Sequence, residues 1–105
     1  MRRFTVELDP AALGDLENIR DYVTGARDRA FADSFVAKIL HHLEGFATAP
    51  WRGVSREDIR PSLRLSGWRR TLSIAFSVND ESGRVIILAV LYRGRDVERE
   101  IKRRT

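Results

Sequence analysis

The alternation of apolar and polar positions divides the chain into two halves with different periods. Phe4, Val6 and Leu8 alternate with Thr5 and Glu7, the period of a strand with one buried face. Asp9-Pro10 follows, a helix cap with proline in the first turn, where its missing N–H costs nothing. Leu13, Leu16, Ile19 and Val23 then recur every three or four residues, which predicts a helix with one apolar stripe. Asp15, Glu17, Arg20 and Asp21 are expected on its opposite side, and Gly25 at its end. Asp28 caps a second helix whose stripe is Phe31, Phe35, Ile39 and Leu43, widened by Val36, Leu40 and Phe46, and Pro50 stops it. Two such helices form a hairpin that must bury its stripes on something flat.

The second half supplies the flat layer. Trp51 to Arg56 reads as a loop around Gly53. A short strand is expected near Leu63 to Leu65, with Ser66-Gly67 turning the chain. Leu72, Ile74, Phe76 and Val78 alternate with small polar residues, and Asn79 to Gly83 is a hairpin turn. Val85 to Leu91 is apolar throughout, as in a central strand covered on both faces. Gly94 breaks it, and Asp96 caps a last helix with Val97 and Ile101 inward. The predicted class is α+β, in the order β-α-α-β-β-β-α, with the helical hairpin on a small twisted antiparallel sheet. No repeat, linker or low-complexity segment appears, so residues 1–105 read as a single domain.

Composition narrows the chemistry. There is no cysteine, which removes disulfides, thiolate metal sites and a cysteine nucleophile, and fits a reducing, cytoplasmic setting. The amino-terminal residues lack a signal-peptide core, and the run Val85–Leu91 is too short to span a bilayer. The net charge is +4, and of the 19 basic residues 17 are arginine. A GC-rich genome yields the same bias, so position carries more information than number. From residue 52 onward arginines recur to the end, which points to an anionic partner, either nucleic acid or an acidic protein segment.

The candidate chemistry is sparse outside those arginines. His41 and His42 are adjacent on a helix, about 100° apart, so they cannot converge on one metal; both read as solvated. Glu57-Asp58 reads as a solvated loop pair. No phosphate-cradling loop, nucleophile motif, metal site or cofactor motif is evident. Trp51 is expected to plug the end of the helical hairpin, while Trp68 is open to either a core or a partner role. The remaining constellation is Arg60, Arg64, Arg69 and Arg70 with Tyr92-Arg93-Gly94-Arg95-Asp96. Arg60 and Arg64, four apart, are expected on one face of a strand, and such arginines hold phosphates or carboxylates bidentately. The expected working surface is an arginine-studded antiparallel sheet.

The segments Ile59-Arg60-Pro61-Ser62-Leu63-Arg64, Gly67-Trp68-Arg69-Arg70 and Val90-Leu91-Tyr92-Arg93-Gly94-Arg95-Asp96 resemble the second half of RelE/ParE-type toxins. Residues 12–23, with Asp15-Leu16, Ile19 and Tyr22-Val23, are similar to the first helix of ParE toxins. The resemblance implies a toxin of a type II toxin–antitoxin pair. Its partner would be a cognate, ParD-like antitoxin with an acidic carboxy-terminal segment, forming a hetero-oligomer. RelE-like relatives cleave messenger RNA on the ribosome with basic residues and an acid or base; ParE-like relatives poison DNA gyrase. Arg60, Arg69 and Arg95 match basic positions of the nuclease set, with Tyr92 as proton carrier. Ser62 replaces a lysine of that set, however, and Ile101 its tyrosine, which favours a ParE-like gyrase inhibitor without bond-making chemistry. Arg60, Arg64, Trp68, Arg69, Arg70, Tyr92, Arg93 and Arg95 are then the expected contacts with target or antitoxin. A ribosome-dependent endoribonuclease and a non-toxic nucleic-acid-binding module are the alternatives.

Overall fold

A computed structural model describes residues 2–92 and 96–104. The elements are β1 (Thr5–Leu8), α1 (Pro10–Ala26), α2 (Arg29–Glu44), a 3₁₀ turn (Gly45–Ala47), β2 (Val54–Ser55), β3 (Leu63–Trp68), β4 (Leu72–Asn79), β5 (Arg84–Tyr92) and α3 (Val97–Arg104). The helix caps follow the local sequence. The Asp9 carboxylate accepts from the Ala11 N–H at 3.1 Å, Asp28 from Phe31 at 2.8 Å and Asp96 from Arg99 at 3.0 Å. Asn79 closes the β4–β5 turn by accepting from the Ser82 N–H at 2.9 Å.

The five strands form one sheet in the order β1-β5-β4-β3-β2. The expected sheet is antiparallel throughout, but β1 lies parallel to β5, so the observed sheet is mixed. The helical hairpin between them supplies the crossover that a parallel pair requires. A second difference is β2, which occupies part of the expected loop 51–56 and pairs Val54 with Leu65. Gly53 makes this possible: its φ is +75°, and a Cβ there would sit 2.1 Å from the Leu65 carbonyl oxygen. A third concerns the β3–β4 turn. Ser66 and Gly67 lie inside β3, paired with Ile74 and Ser73, and the chain reverses at Arg69-Arg70 instead.

Both sheet faces are covered, as the apolar run of β5 predicts. One face packs on α1 and α2 through Leu16, Ile19, Ile39 and Leu43 against Ile74, Phe76, Val85 and Ile87. The phenyl rings of Phe46 and Phe76 meet edge to face at 4.7 Å in its middle. The other face buries Leu63, Ala75, Ala89 and Leu91 under Ile101 of α3. The buried stripe of α2 is centred on Ala32, Val36, Ile39 and Leu43, leaving Phe31 and Leu40 exposed, and Leu13 of α1 is also on the surface. These departures from the expected stripes arise because sheet packing covers a narrower arc of each helix than the apolar residues span.

The largest departure is Asp15. Expected on the solvent side of α1, it is 7% exposed and faces the sheet. Ala75 pairs with Ala89 and Phe76 with Ile87, so Leu88 has no partner on β4 and β5 bulges there. β1 also leaves β5 after the Leu8–Ile87 pair, which strips the same stretch of its other neighbour. Asp15 accepts from the Val90 N–H at 2.9 Å, and Arg104 of α3 donates to the Leu88 carbonyl at 3.2 Å. The two side chains close on each other through bonds of 2.7 and 2.9 Å. Together they replace the missing strand. Removing the carboxylate leaves the buried Val90 N–H without its acceptor and the poorly exposed Arg104 guanidinium without its closest anion, so Asp15→Ala should cost about 3 kcal/mol, read as a lowered urea midpoint.

Candidate functional site

The basic residues that the sequence groups together are spread over several environments. Among the described candidate arginines Arg64 alone lies within a strand, and its guanidinium is turned back onto the preceding segment. Its guanidinium donates to the carbonyls of Trp51 (3.0 Å), Arg52 (3.1 Å) and Gly53 (3.3 Å), pinning the segment that leads into β2. Trp51 does not plug the hairpin; it is 54% exposed, edge-on to Phe4 at 6.4 Å with Arg64 above its ring. Arg60 is not on a strand. Residues 56–62 form consecutive turns, with the Leu63 N–H donating to the Arg60 carbonyl at 3.1 Å, so Arg60 and Arg64 share no strand face. Nor is Glu57-Asp58 a free acid pair. Asp58 takes a two-pronged bond from Arg56, both arms at 2.9 Å, which holds its carboxyl below the usual range, while Glu57 accepts from the Ser62 N–H at 3.3 Å.

Arg69 and Arg70 form the tip of the β3–β4 hairpin. Their φ angles are 50° and 58°, and the Thr71 N–H closes the turn on the Trp68 carbonyl at 2.9 Å. Left-handed conformation at both central positions is the mirror-image turn that suits a twisted hairpin, normally built from Asn and Gly. Two arginines in it carry strain, of the kind proteins retain where the side chains are needed. Both are exposed, and Arg69 lies over the Trp68 ring at 4.7 Å. Trp68 itself is 6% exposed, packed edge-on to Phe35 at 5.5 Å, so its role is in the core.

His42, expected to be solvated, is half-buried between Phe46 (5.7 Å) and Trp68 (6.3 Å), with its Nε2 enclosed and without a hydrogen-bond partner among the described residues. Burial, and then the charge of Arg52, pushes its pKa below the ordinary 6.5. Tyr92 ends β5 against Tyr22, the rings 5.5 Å apart, and its hydroxyl is likewise enclosed and, among the described residues, unpartnered. Burial, and then the neighbouring Tyr22, raises its pKa above the ordinary tyrosine value. Arg93 and Arg95 lie outside the described residues. Among the described residues no group of three or more His, Asp or Glu side chains could hold a metal ion. No helix among them is long and apolar enough to cross a membrane.

Two grooves flank these side chains. One, about 410 Å³, runs between α1 and the end of β5, with Asn18, Tyr22 and Tyr92 on its walls and Asp15 at its base. The other, about 400 Å³, lies between α2 and the hairpin tip and is lined by Ser34, Lys38, His41, His42, Trp68 and Arg69. The second groove was not visible in the chain order, because α2 and the tip are joined only by tertiary packing.

The chain matches, over residues 6–97, the family described as the ParE toxin of the type II toxin–antitoxin system parDE. The chain belongs to the ParE toxin family. Solved structures agree in fold. A chromosomal ParDE system from P. aeruginosa superposes with a TM-score of 0.73 at 20% identity, covering 86% of this chain and 96% of that one. A chain of the RelBE2 toxin–antitoxin complex from Mycobacterium tuberculosis gives 0.63 at 21% identity, covering 89% and 94%. A mutant of the E. coli toxin RelE in its free state gives 0.67 at 14% identity, covering 96% and 97%. No curated protein matches the chain by sequence. This ParE-family member is therefore a type II toxin whose fold is shared with RelE toxins.

Two predictions follow from the geometry of this toxin. Replacing Arg69-Arg70 with the turn-favouring pair, as Arg69→Asn with Arg70→Gly, relieves left-handed strain and should raise stability by about 1 kcal/mol, measured as a higher unfolding midpoint. For His42, the unfolded chain binds a proton at higher pH than the folded one, so stability present above about pH 6.5 is lost as pH falls through the lower folded value. The unfolding temperature should drop between pH 7 and 5, and a His42→Phe variant should flatten that slope.

Proposed function

We propose that this toxin acts by binding DNA gyrase and is held inactive by a ParD-like antitoxin, with no bond-making chemistry of its own. The observation that carries this reading is the position of Tyr92. It is the one proton carrier among the nuclease-like candidates, since arginine stays protonated and serves poorly as a base. Its hydroxyl is enclosed against Tyr22 and burial raises its pKa, so as placed it is poorly suited to take a proton from a substrate hydroxyl. His42 is likewise packed inside, and His41 stands alone on α2 beside Glu44 at 3.9 Å. Arg64, another expected contact, is engaged with three backbone carbonyls. The candidate side chains left exposed, Arg69 and Arg70, are guanidiniums, which bind anions but do not transfer protons.

An antitoxin partner is supported by the family itself and by the ParDE and RelBE2 assemblies that share the fold. A net charge of +4 favours fast, salt-sensitive association with an acidic partner. The decisive experiment is a pair of assays on purified toxin. Gyrase supercoiling should be inhibited, with cleaved gyrase–DNA complexes accumulating, while translated messages acquire no new ends by primer extension. New ends in codon register, abolished by Tyr92→Phe, would instead establish the nuclease reading and sink this one.

A further inference from the structure

We propose that the groove between α1 and the end of β5 binds a small, planar, uncharged heteroaromatic molecule of the purine type, its ring against Tyr22 and its polar edge on Asn18 and Asp15. The site arises from a gap in the sheet. β1 leaves β5 after the Leu8–Ile87 pair, so the last residues of β5 have a strand on one side and only helix α1 on the other. The space left is about 410 Å³. Small-molecule sites ordinarily run from roughly 300 to 1,000 Å³. Asp15, Asn18 and Tyr22, three and four residues apart, bring one face of α1 to that space.

The groove holds hydrogen-bonding groups that the fold leaves unused. A carboxylate offers about four lone pairs. In Asp15, Oδ2 accepts from the Val90 N–H and from Arg104 Nη1, each at 2.9 Å, while among the described residues Oδ1 accepts from Arg104 Nη2 alone, at 2.7 Å. One acceptor position on Oδ1 is therefore open. The Asn18 side chain is exposed and makes no hydrogen bond among the described residues. The Tyr92 hydroxyl, enclosed beside Tyr22, has no partner among them either, and burial keeps it protonated and thus a donor. Tyr22 is 66% exposed, so its ring can turn outward and uncover that hydroxyl without moving the backbone. A ligand edge with an N–H beside a ring nitrogen meets all three groups. The N–H donates to Asp15 Oδ1, and the ring nitrogen accepts from Asn18 or Tyr92.

Three features fix the class of ligand. No lysine, arginine or histidine lines the groove, and the one charged side chain there, Asp15, is paired with Arg104. Neither a phosphate nor an ammonium group finds a free counter-ion, which selects an uncharged molecule. A peptide strand adding to β5 has little backbone to pair with, because Asp15 and Arg104 already hold the Val90 N–H and the Leu88 carbonyl. Finally, the Tyr22 and Tyr92 rings meet at 62°, which leaves aromatic surface on the exposed Tyr22 for a flat ring to cover.

The test titrates adenosine into the whole toxin, followed by NMR and by thermal unfolding. Saturable shifts are expected at Asn18, Tyr22 and Tyr92, with the unfolding temperature rising as the nucleoside is added. The dimethylamino analogue of adenosine, which lacks the N–H donor, should bind about tenfold more weakly, and adenosine monophosphate no more tightly than adenosine. Asn18→Ala and Tyr22→Ala, both at exposed positions, should each weaken adenosine by about tenfold while keeping the wild-type circular dichroism. No saturation at the solubility limit of adenosine, shifts centred elsewhere, or equal affinity for the dimethylamino analogue overturns the assignment. So does binding about tenfold tighter by the monophosphate or by a short oligodeoxyadenylate, which would make this a surface for phosphate or nucleic acid.

Discussion

The fold depends on how one exposed stretch of backbone is satisfied in the middle of the molecule. At Leu88 strand β5 bulges away from β4, and at the same level β1 has already turned off into α1. Two backbone groups there would be buried without partners, a cost that few folded chains tolerate. Asp15 reaches in from α1 and Arg104 from α3, each binding one of those groups and the other's charge. A single ion pair thus ties together a residue near the start of the chain, the central strand and the last helix. Buried ion pairs often add little net stability because desolvation offsets attraction. This one differs in that its hydrogen bonds also complete a sheet edge, so its value lies in what the backbone would otherwise lack.

The same economy governs the arginines. A chain with 17 of them invites the expectation of a broad basic face, yet several are used to organise the domain. Arg52 caps the 3₁₀ turn through the carbonyls of Gly45 and Ala49 while lying over the Phe46 ring. Arg64 gathers three carbonyls ahead of β2, and Arg56 is bound to Asp58. Guanidinium suits these tasks because it offers five donors in a plane and covers aromatic surface at little hydration cost. Arg69 and Arg70, exposed at the hairpin tip, make no ion pair among the described residues. The expected arginine-studded sheet becomes a sheet with covered faces and a cationic rim.

Proton-transfer chemistry requires groups whose pKa lies near the working pH and whose atoms face a substrate. The hydroxyl of Tyr92, its pKa raised, and the Nε2 of His42, its pKa lowered, are both enclosed.

The chain's periodicities were enough to identify the helices, their caps, the two long strands and the α+β class, because those depend on neighbours three, four or two residues away. Asp9, Asp28 and Asp96 cap helices for the same local reason. The family resemblance was legible too, since it rests on side chains in a fixed order. The structure alone decided whatever depended on distant partners. Asp15 follows the polar side of α1 in any helical projection, and only the bulge in β5 explains its burial. Gly67 looks like a turn residue until Ser73 pairs with it, and the real turn uses two arginines that no local preference would place there. Parallel pairing of β1 with β5, and the meeting of α2 with the hairpin tip, join segments dozens of residues apart. Local pattern determined the pieces and their order; long-range hydrogen bonding and packing decided which polar groups were consumed inside and which were left to face a partner.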